Sequence, residues 1–251
     1  MPLEVRDVSR HITLVTIDNQ PKRNALSRQM LAELAALWDR LDASDIRCVV
    51  VTGAGDKGFC AGADIGGDLT ASEETARVIN RALLKTSTFS KPIIAAVNGD
   101  CAGGGGELLI ATDIRGAASH ARFGLPEVRY AIYPFGGAAV KLVHQIGHVH
   151  ASDLLLTGRL VDAAHAQRIG LVNEVMPADK LLPWAIEWAE MIARNSPAAV
   201  QAVKTQLSAM SADHARSREA LDQQLGDRVR ASADFAEGIA AFREKRQARY
   251  E

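Results

Sequence analysis

The sequence predicts an α/β fold, a mostly parallel sheet with a helical layer toward the C-terminal end. Three observations carry this expectation. Strand-like runs at 12–17, 46–53 and 92–99 alternate with helix-like stretches through the first half of the chain. Two of those runs, IRCVVVTG (46–53) and PIIAAVNG (92–99), are nearly all apolar, as strands covered on both faces are. From about residue 136 the strand signal mostly disappears, and helical stretches separated by proline, serine or aspartate take over.

Taken in order, ITLVTI (12–17) alternates and is β-branched, which reads as a strand. NALSRQMLAELAALWDRLD (24–42) offers Ser27 as N-cap and sets Met30, Leu34, Leu37 and Leu41 on one helical face. A helical stretch of mixed polarity (72–89) separates the two apolar strands, and DIRGAAS (113–119) supplies a further strand. This β-α-β-α-β-α-β series implies right-handed crossovers. GGAAVKLVHQIG, ASDLLLTG and DAAHAQRIG read as short helices ended by glycine, and LVNEVM (171–176) as a brief strand. Four helices follow: PWAIEWAEMIARN, PAAVQAVKTQLSAM, DHARSREALDQQLGDRVRAS and DFAEGIAAFREKRQARY. The expected organisation is a core over 1–195 with a helical region over 196–251.

Composition narrows the function. The 251 residues are 47% hydrophobic and 24% charged with a net charge of −1, the profile of an ordinary globular protein. Such a balance carries no general attraction to nucleic acid or acidic membranes. No run approaches the length of a membrane span, and the start MPLEVRDVSR has no secretory apolar core, so a cytoplasmic protein is expected. Cys48, Cys60 and Cys101 lack paired spacing and fit free thiols.

Several motifs compete for the chemistry. Gly53, Gly55 and Gly58 formally match a dinucleotide fingerprint, with Glu73 and Glu74 at the right remove. No helical period opens at Gly58, where the chain continues FCAGADIGGD, so a glycine-rich turn is favoured over cofactor binding. GGGGE lacks the Gly-Lys-Ser/Thr of a phosphate loop, and no G-x-S-x-G is present. His144 and His148 have a zinc-compatible i, i+4 spacing on a helix, but without a third ligand nearby no metal is expected. Cys60 and Cys101 are read as small buried thiols rather than nucleophiles.

Glu107 and Glu127 are the strongest candidates for chemistry. The first follows Gly103 to Gly106 at a strand-to-helix turn; the second stands directly after Pro126. Glycines in such a turn let backbone N–H groups point at a ligand, where a helix N-terminus adds partial positive charge. FCAGADI (59–65) is a second glycine-containing turn after another apolar strand. Turns at the carboxyl ends of adjacent parallel strands face one crevice, so one N–H from each makes a two-donor oxyanion hole.

At this point the chain resembles the crotonase, or enoyl-CoA hydratase/isomerase, superfamily. The resemblance runs through PKRNALS (21–27), GFCAGADI (58–65), KPIIAAVNG with GGGGEL (91–108) and DIR (113–115). It continues through FGLPEVRYAIYPFGG (123–137), LLLTGRLVDAAHAQRIGLVNEVMP (154–177) and EGIAAFREKR (237–246). It implies a crotonase-like spiral of repeated β-β-α units and, for 196–251, a trimerisation role. By the same resemblance, Ala63 and Gly104 supply the oxyanion amides, and Glu107 and Glu127 are the hydratase acids. Lys22, Arg23, Ala61, Asp64, Ile65, Phe242 and Lys245 match positions that contact coenzyme A. Tyr130, Tyr133 and Phe135 add bulk where the acyl group is expected.

The implied substrate is an acyl-CoA thioester with no separate cofactor, and the implied assembly a trimer or a dimer of trimers. Having both glutamates favours hydration of a trans-2-enoyl-CoA, or the reverse dehydration. A double-bond isomerase, a carnitinyl-CoA-like dehydratase, a hydrolase or C–C lyase, and a non-enzymatic binding protein are the alternatives. Two departures bear on substrate: VRYAIYPFGG replaces a more glycine-rich segment, and Asp100-Cys101-Ala102 stands where the family usually has Tyr-Ala-Leu.

Overall fold

Short apolar strands that cannot bury both faces alone are stacked here into two sheets. A computed structural model describes residues 3–64 and 73–250. The elements begin β1 (Leu3–Ser9), β2 (Ile12–Ile17), α1 (Arg28–Asp42), β3 (Cys48–Gly53), β4 (Gly58–Cys60), α2 (Glu73–Ala82), β5 (Ile93–Val97), β6 (Asp100–Ala102) and α3 (Gly104–Leu109). They continue with β7 (Ile114–Ala118), β8 (Arg122–Gly124), α4 (Ala138–Ile146), α5 (His148–Thr157), β9 (Val161–Asp162), α6 (Ala163–Arg168), β10 (Glu174–Met176), α7 (Ala178–Arg194), α8 (Pro197–Arg230) and α9 (Ala233–Glu244). Two 3₁₀ turns, Gln20–Lys22 and Pro126–Tyr130, complete them.

The larger sheet runs β1-β2-β3-β5-β7-β10 and the smaller β4-β6-β8-β9. Every pairing is parallel except β1 with β2 and β8 with β9. Successive strand pairs β3–β4, β5–β6 and β7–β8 each give one strand to the large sheet and the next to the small one. A helix then returns the chain, which is the expected spiral of β-β-α units. The large sheet's central strands are buried on both faces: α7 covers one with Leu181, Ala185 and Ala189, and the main core fills the other.

Local chemistry explains the boundaries. Ser27 caps α1, its hydroxyl accepting from the Met30 N–H at 3.2 Å, and the helix buries Met30, Leu34, Leu37, Trp38 and Leu41. Gly105 lets α3 touch β4, since a Cβ there would lie 2.1 Å from the Cys60 carbonyl oxygen.

Four expectations are corrected. The strands of the small sheet, implied only by the β-β-α resemblance, were not located in the sequence, because strands of two or three residues are too short to show a period. The edge strand β1 was also missed. The two helices expected over 197–210 and 213–232 are one helix of 34 residues. Asp213, where the second of them was expected to start, is carried inside it and pairs with Arg216 one turn on; neither glycine nor proline stands between the two halves. Finally, α7 begins at Ala178, so Pro183 lies within the helix instead of opening it, at the cost of one backbone bond. The sequence boundary at 195 falls in the turn between α7 and α8. No helix among the described residues is long and apolar enough to cross a membrane.

Candidate active site

The site assembles at the turns that follow β4, β6 and β8, neighbouring strands of the smaller sheet. At the turn after β4, Leu26 N–H donates to Gly62 O at 2.8 Å and Asp64 N–H to Leu26 O at 2.9 Å. That parallel bridge uses the neighbours of Ala63 and leaves the Ala63 N–H on the opposite side. Gly104 opens α3, so its N–H is one of the amides a helix leaves unpaired. A Cβ placed on Gly104 would sit 3.3 Å from Ala63 N, which puts the two expected donors at one narrow cleft.

Both glutamates border it. Glu127 lies in the 3₁₀ turn after β8, its Oε1 3.5 Å from where a Cβ on Gly103 would be. Its Oε2 is buried with no hydrogen-bond partner among the described residues. Glu107 is 5% exposed and accepts from the Ala138 N–H at 3.3 Å, at the start of α4. Gly136 leaves room for it; a Cβ there would be 2.5 Å from Glu107 Oε2.

Burial drives both carboxyls above the usual carboxylate range, and at Glu107 the Glu127 charge adds to the effect. Lys85 works the other way on Glu107. Two adjacent buried carboxyls favour sharing a proton over carrying two charges, which gives one acid and one base at neutral pH.

The remaining candidates fall around this centre. Lys22 pairs with Asp64 at 2.6 Å, and Arg23 with Asp100 at 3.2 Å. Asp100 also binds Arg122 through two contacts of 3.0 and 2.6 Å, so the unexpected carboxylate is the shared acceptor of two guanidiniums. Ala61 donates to Arg23 O at 3.1 Å, which joins the cationic turn to the amide turn. Ile65 lies outside the described residues. Phe242 packs edge-to-face on Tyr130 of its own chain, ring centres 5.2 Å apart, and Lys245 caps α9. Tyr133 packs on Phe135 at 5.7 Å.

Sequence reasoning missed three residues here. Asn24 is buried in a left-handed conformation (φ 60°) and donates to Ala54 O and Gly58 O, fixing the cationic turn. Lys85 and Asp222 form a buried ion pair at 2.6 Å, and the Tyr133 hydroxyl donates to Asp222 at 2.5 Å. Asn24 stands within PKRNALS, where a polar residue in a tight turn is a usable signal. The Lys85–Asp222 pair spans most of the chain and left no local trace.

The competing motifs occupy other places in the fold. Gly58 begins a strand, not a helix. His144 and His148 do not share a helix, because Gly147 ends α4; His144 instead meets His214, Nε2 to Nε2 2.8 Å. Among the described residues no three His, Cys, Asp or Glu side chains are grouped to hold a metal. Cys60 and Cys101 are buried, and burial pushes the Cys60 thiol up to about 12.

Residues 7–251 match the family described as enoyl-CoA hydratase/isomerase. The enoyl-CoA hydratase EchA19 of Mycobacterium tuberculosis is 41% identical over 94% of this chain and 91% of its own length. The mevalonyl-coenzyme A hydratase sidH of Aspergillus fumigatus is 39% identical over 94% of this chain and 90% of its own. A crystal structure of an enoyl-CoA hydratase/isomerase from Pseudoalteromonas atlantica superposes with a TM-score of 0.91 at 30% identity, covering all of both chains. Two sheets wound as a spiral, paired turn amides and two buried acids thus agree with the similarity along the whole chain, which belongs to the enoyl-CoA hydratase/isomerase family.

Proposed function

We propose that this chain is an enoyl-CoA hydratase-type hydro-lyase that adds water across the 2,3 double bond of a trans-2-enoyl-CoA, or runs the reverse dehydration. One observation carries the reading: two buried carboxyls, one with an unpartnered oxygen, stand beside two main-chain amides at the same cleft. The Ala63 and Gly104 N–H groups hold the thioester oxygen and stabilise the charge it gains. Conjugation makes C3 electrophilic. Water held between the acids attacks C3; in the arrangement of the shared proton that leaves Glu107 ionised, Glu107 takes the water's proton while Glu127 delivers its own to C2. The sum is one water added; the acids exchange protonation states and reset by proton transfer.

Lys22, Arg23, Ala61, Asp64 and Ile65 contact the coenzyme A portion, with Phe242 and Lys245 at its far edge. Tyr130, Tyr133 and Phe135 border the acyl group. No separate cofactor takes part. The chain works in the cytoplasm as a trimer or pair of trimers, 196–251 supplying contacts between copies. Exposed Val203, Leu207 and Met210, one row along α8, support that assembly, and sedimentation measures it. One relative is named a mevalonyl-coenzyme A hydratase, which makes polar and branched acyl chains the first to assay.

The test follows the loss of conjugated enoyl absorbance with crotonyl-CoA and a panel of polar enoyl-CoA thioesters. Glu107→Gln and Glu127→Gln should each lower kcat by at least 10²-fold, the lower end of what general acid–base catalysis supplies. Wild-type rates in either variant would remove that residue from the mechanism. Turnover of 3-enoyl-CoA alone would replace hydration by isomerisation.

A further inference from the structure

A second cavity, of about 330 Å³, lies just beyond the C-terminal end of α3, lined by the turn that follows it, by α4 and by α8. It is separated from the Gly104 amide by the six residues of that helix, about 9 Å at 1.5 Å per residue. Three cationic side chains line it, Arg115, Lys141 and Lys204, which are 7%, 5% and 6% exposed. Asp113 is the one carboxylate among the lining residues.

The hydrogen bonds show how incompletely these charges are met. Arg115 donates to Thr112 Oγ1, Thr112 O, Leu171 O and Gln145 Oε1, all neutral acceptors. Lys141 Nζ donates to Leu84 O at 2.5 Å, again neutral. Lys204 Nζ reaches Asp113 Oδ1 at 2.7 Å, while Asp113 Oδ2 is taken by the Ile93 N–H at 2.7 Å. An ammonium carries three N–H donors. Among the described residues one acceptor serves each lysine, so two donors on each remain for something in the cavity. Buried cations without a counter-charge are costly, and the cavity brings together three of them against one acid. Burial has the matching effect on Lys141, pushing it down to about 8, with the Lys204 charge acting in the same direction.

We propose that this cavity is a binding site for a small oxyanion, of the phosphate or carboxylate kind, separate from the acyl-CoA cleft. The anion's oxygens take the spare donors of Lys141 and Lys204, and Ser87 and Ser211 lie on the same lining. Leu207 belongs both to this lining and to the exposed row of α8. In an assembly through that row, the neighbouring copy closes over the mouth and retains the ion.

The test is calorimetric titration of the full-length protein with inorganic phosphate, and separately with acetate, at ionic strength fixed by sodium chloride. Thermal unfolding is followed in parallel. Phosphate or acetate should bind at one site per chain, raise Tm beyond the chloride control, and persist in the presence of saturating coenzyme A. Lys204→Met should weaken binding at least tenfold, whereas Lys22→Ala should leave it unchanged. Ser211→Glu, which tethers a carboxylate in the cavity, should abolish binding and raise Tm without added anion; it carries the test if Lys204→Met does not fold. The proposal is overturned if neither anion exceeds the chloride control, or if coenzyme A displaces it. It is equally overturned if Ser211→Glu binds as wild type does, or if a crystal of the assembled protein shows a neighbouring copy's carboxylate filling the cavity.

Discussion

A single methyl group at residue 136 should separate the site's chemistry from the fold's stability. A Cβ on Gly136 would lie 2.5 Å from Glu107 Oε2 and 2.5 Å from Leu83 Cδ1, well inside van der Waals contact. Glu107 cannot swing aside freely, because its Oε1 is held by the Ala138 N–H two residues further on. Relieving the overlap means moving the carboxylate by about 1 Å or breaking that bond. Misplacement on this scale costs about 10²-fold in rate. Loss of a hydrogen bond to a charged group costs about 1.5–3 kcal/mol, and overpacking adds about 1–3 kcal/mol. Gly136→Ala should therefore lower kcat/KM for crotonyl-CoA hydration by about 10²-fold while lowering stability to urea by about 2.5–6 kcal/mol, the two ranges added together. The matched control is Gly116→Ala, whose Cβ would meet Trp184 at 2.3 Å beneath α7, away from the acids. It should lose comparable stability and keep its turnover. Equal kinetic losses in the two variants, or wild-type kinetics in Gly136→Ala, would refute the placement of Glu107 in the chemistry.

Further outcomes follow from the same geometry. Gly104→Ala directs a methyl into the space beside Ala63 N and should cost kcat about 10²–10³-fold, the worth of one oxyanion donor, measured in the same absorbance assay. Glu127→Gln removes the charge that helps raise Glu107, so Glu107 should titrate at lower pH, read as an acid-side shift in the residual pH–rate profile. Because burial raises the folded pKa of Glu107 above its ordinary value near 4.5, the folded state binds more protons than the unfolded one in that window. Stability should therefore fall as pH rises from about 4.5 through the raised pKa. Glu107→Gln should flatten that slope in urea melts. Lys85→Met leaves Asp222 buried beside Tyr133 with its cation gone and should cost about 3–5 kcal/mol in stability; a loss under 1 kcal/mol would mean that Asp222 has another partner.

Much of the spiral could be read directly from the chain because its signals are local. Apolar β-branched runs marked β2, β3 and β5, a serine cap and an apolar stripe marked α1, and glycines marked the ends of the short helices. The small sheet escaped because its strands are too short to display a period, although it is what brings the Gly62–Ala63 and Gly103–Gly104 turns together. The continuity of α8 escaped because Asp213 is favourable both as a cap and as the partner of an arginine one turn on; packing against the core chose between them.

By itself the sequence determined the kinds of group available: main-chain amides in two glycine turns, two acids and a cationic turn. Whether those acids were buried together, where burial raises both and each charge opposes the other, was decided only by tertiary structure. The same holds for Asp100, which looked anomalous until Arg23 and Arg122 met on it. Lys85, Asp222 and the cations around the second cavity likewise came together from distant positions. Hydrogen-bond and Coulomb energies depend on distance and on the exclusion of water, and neither is a property of residues adjacent along the chain.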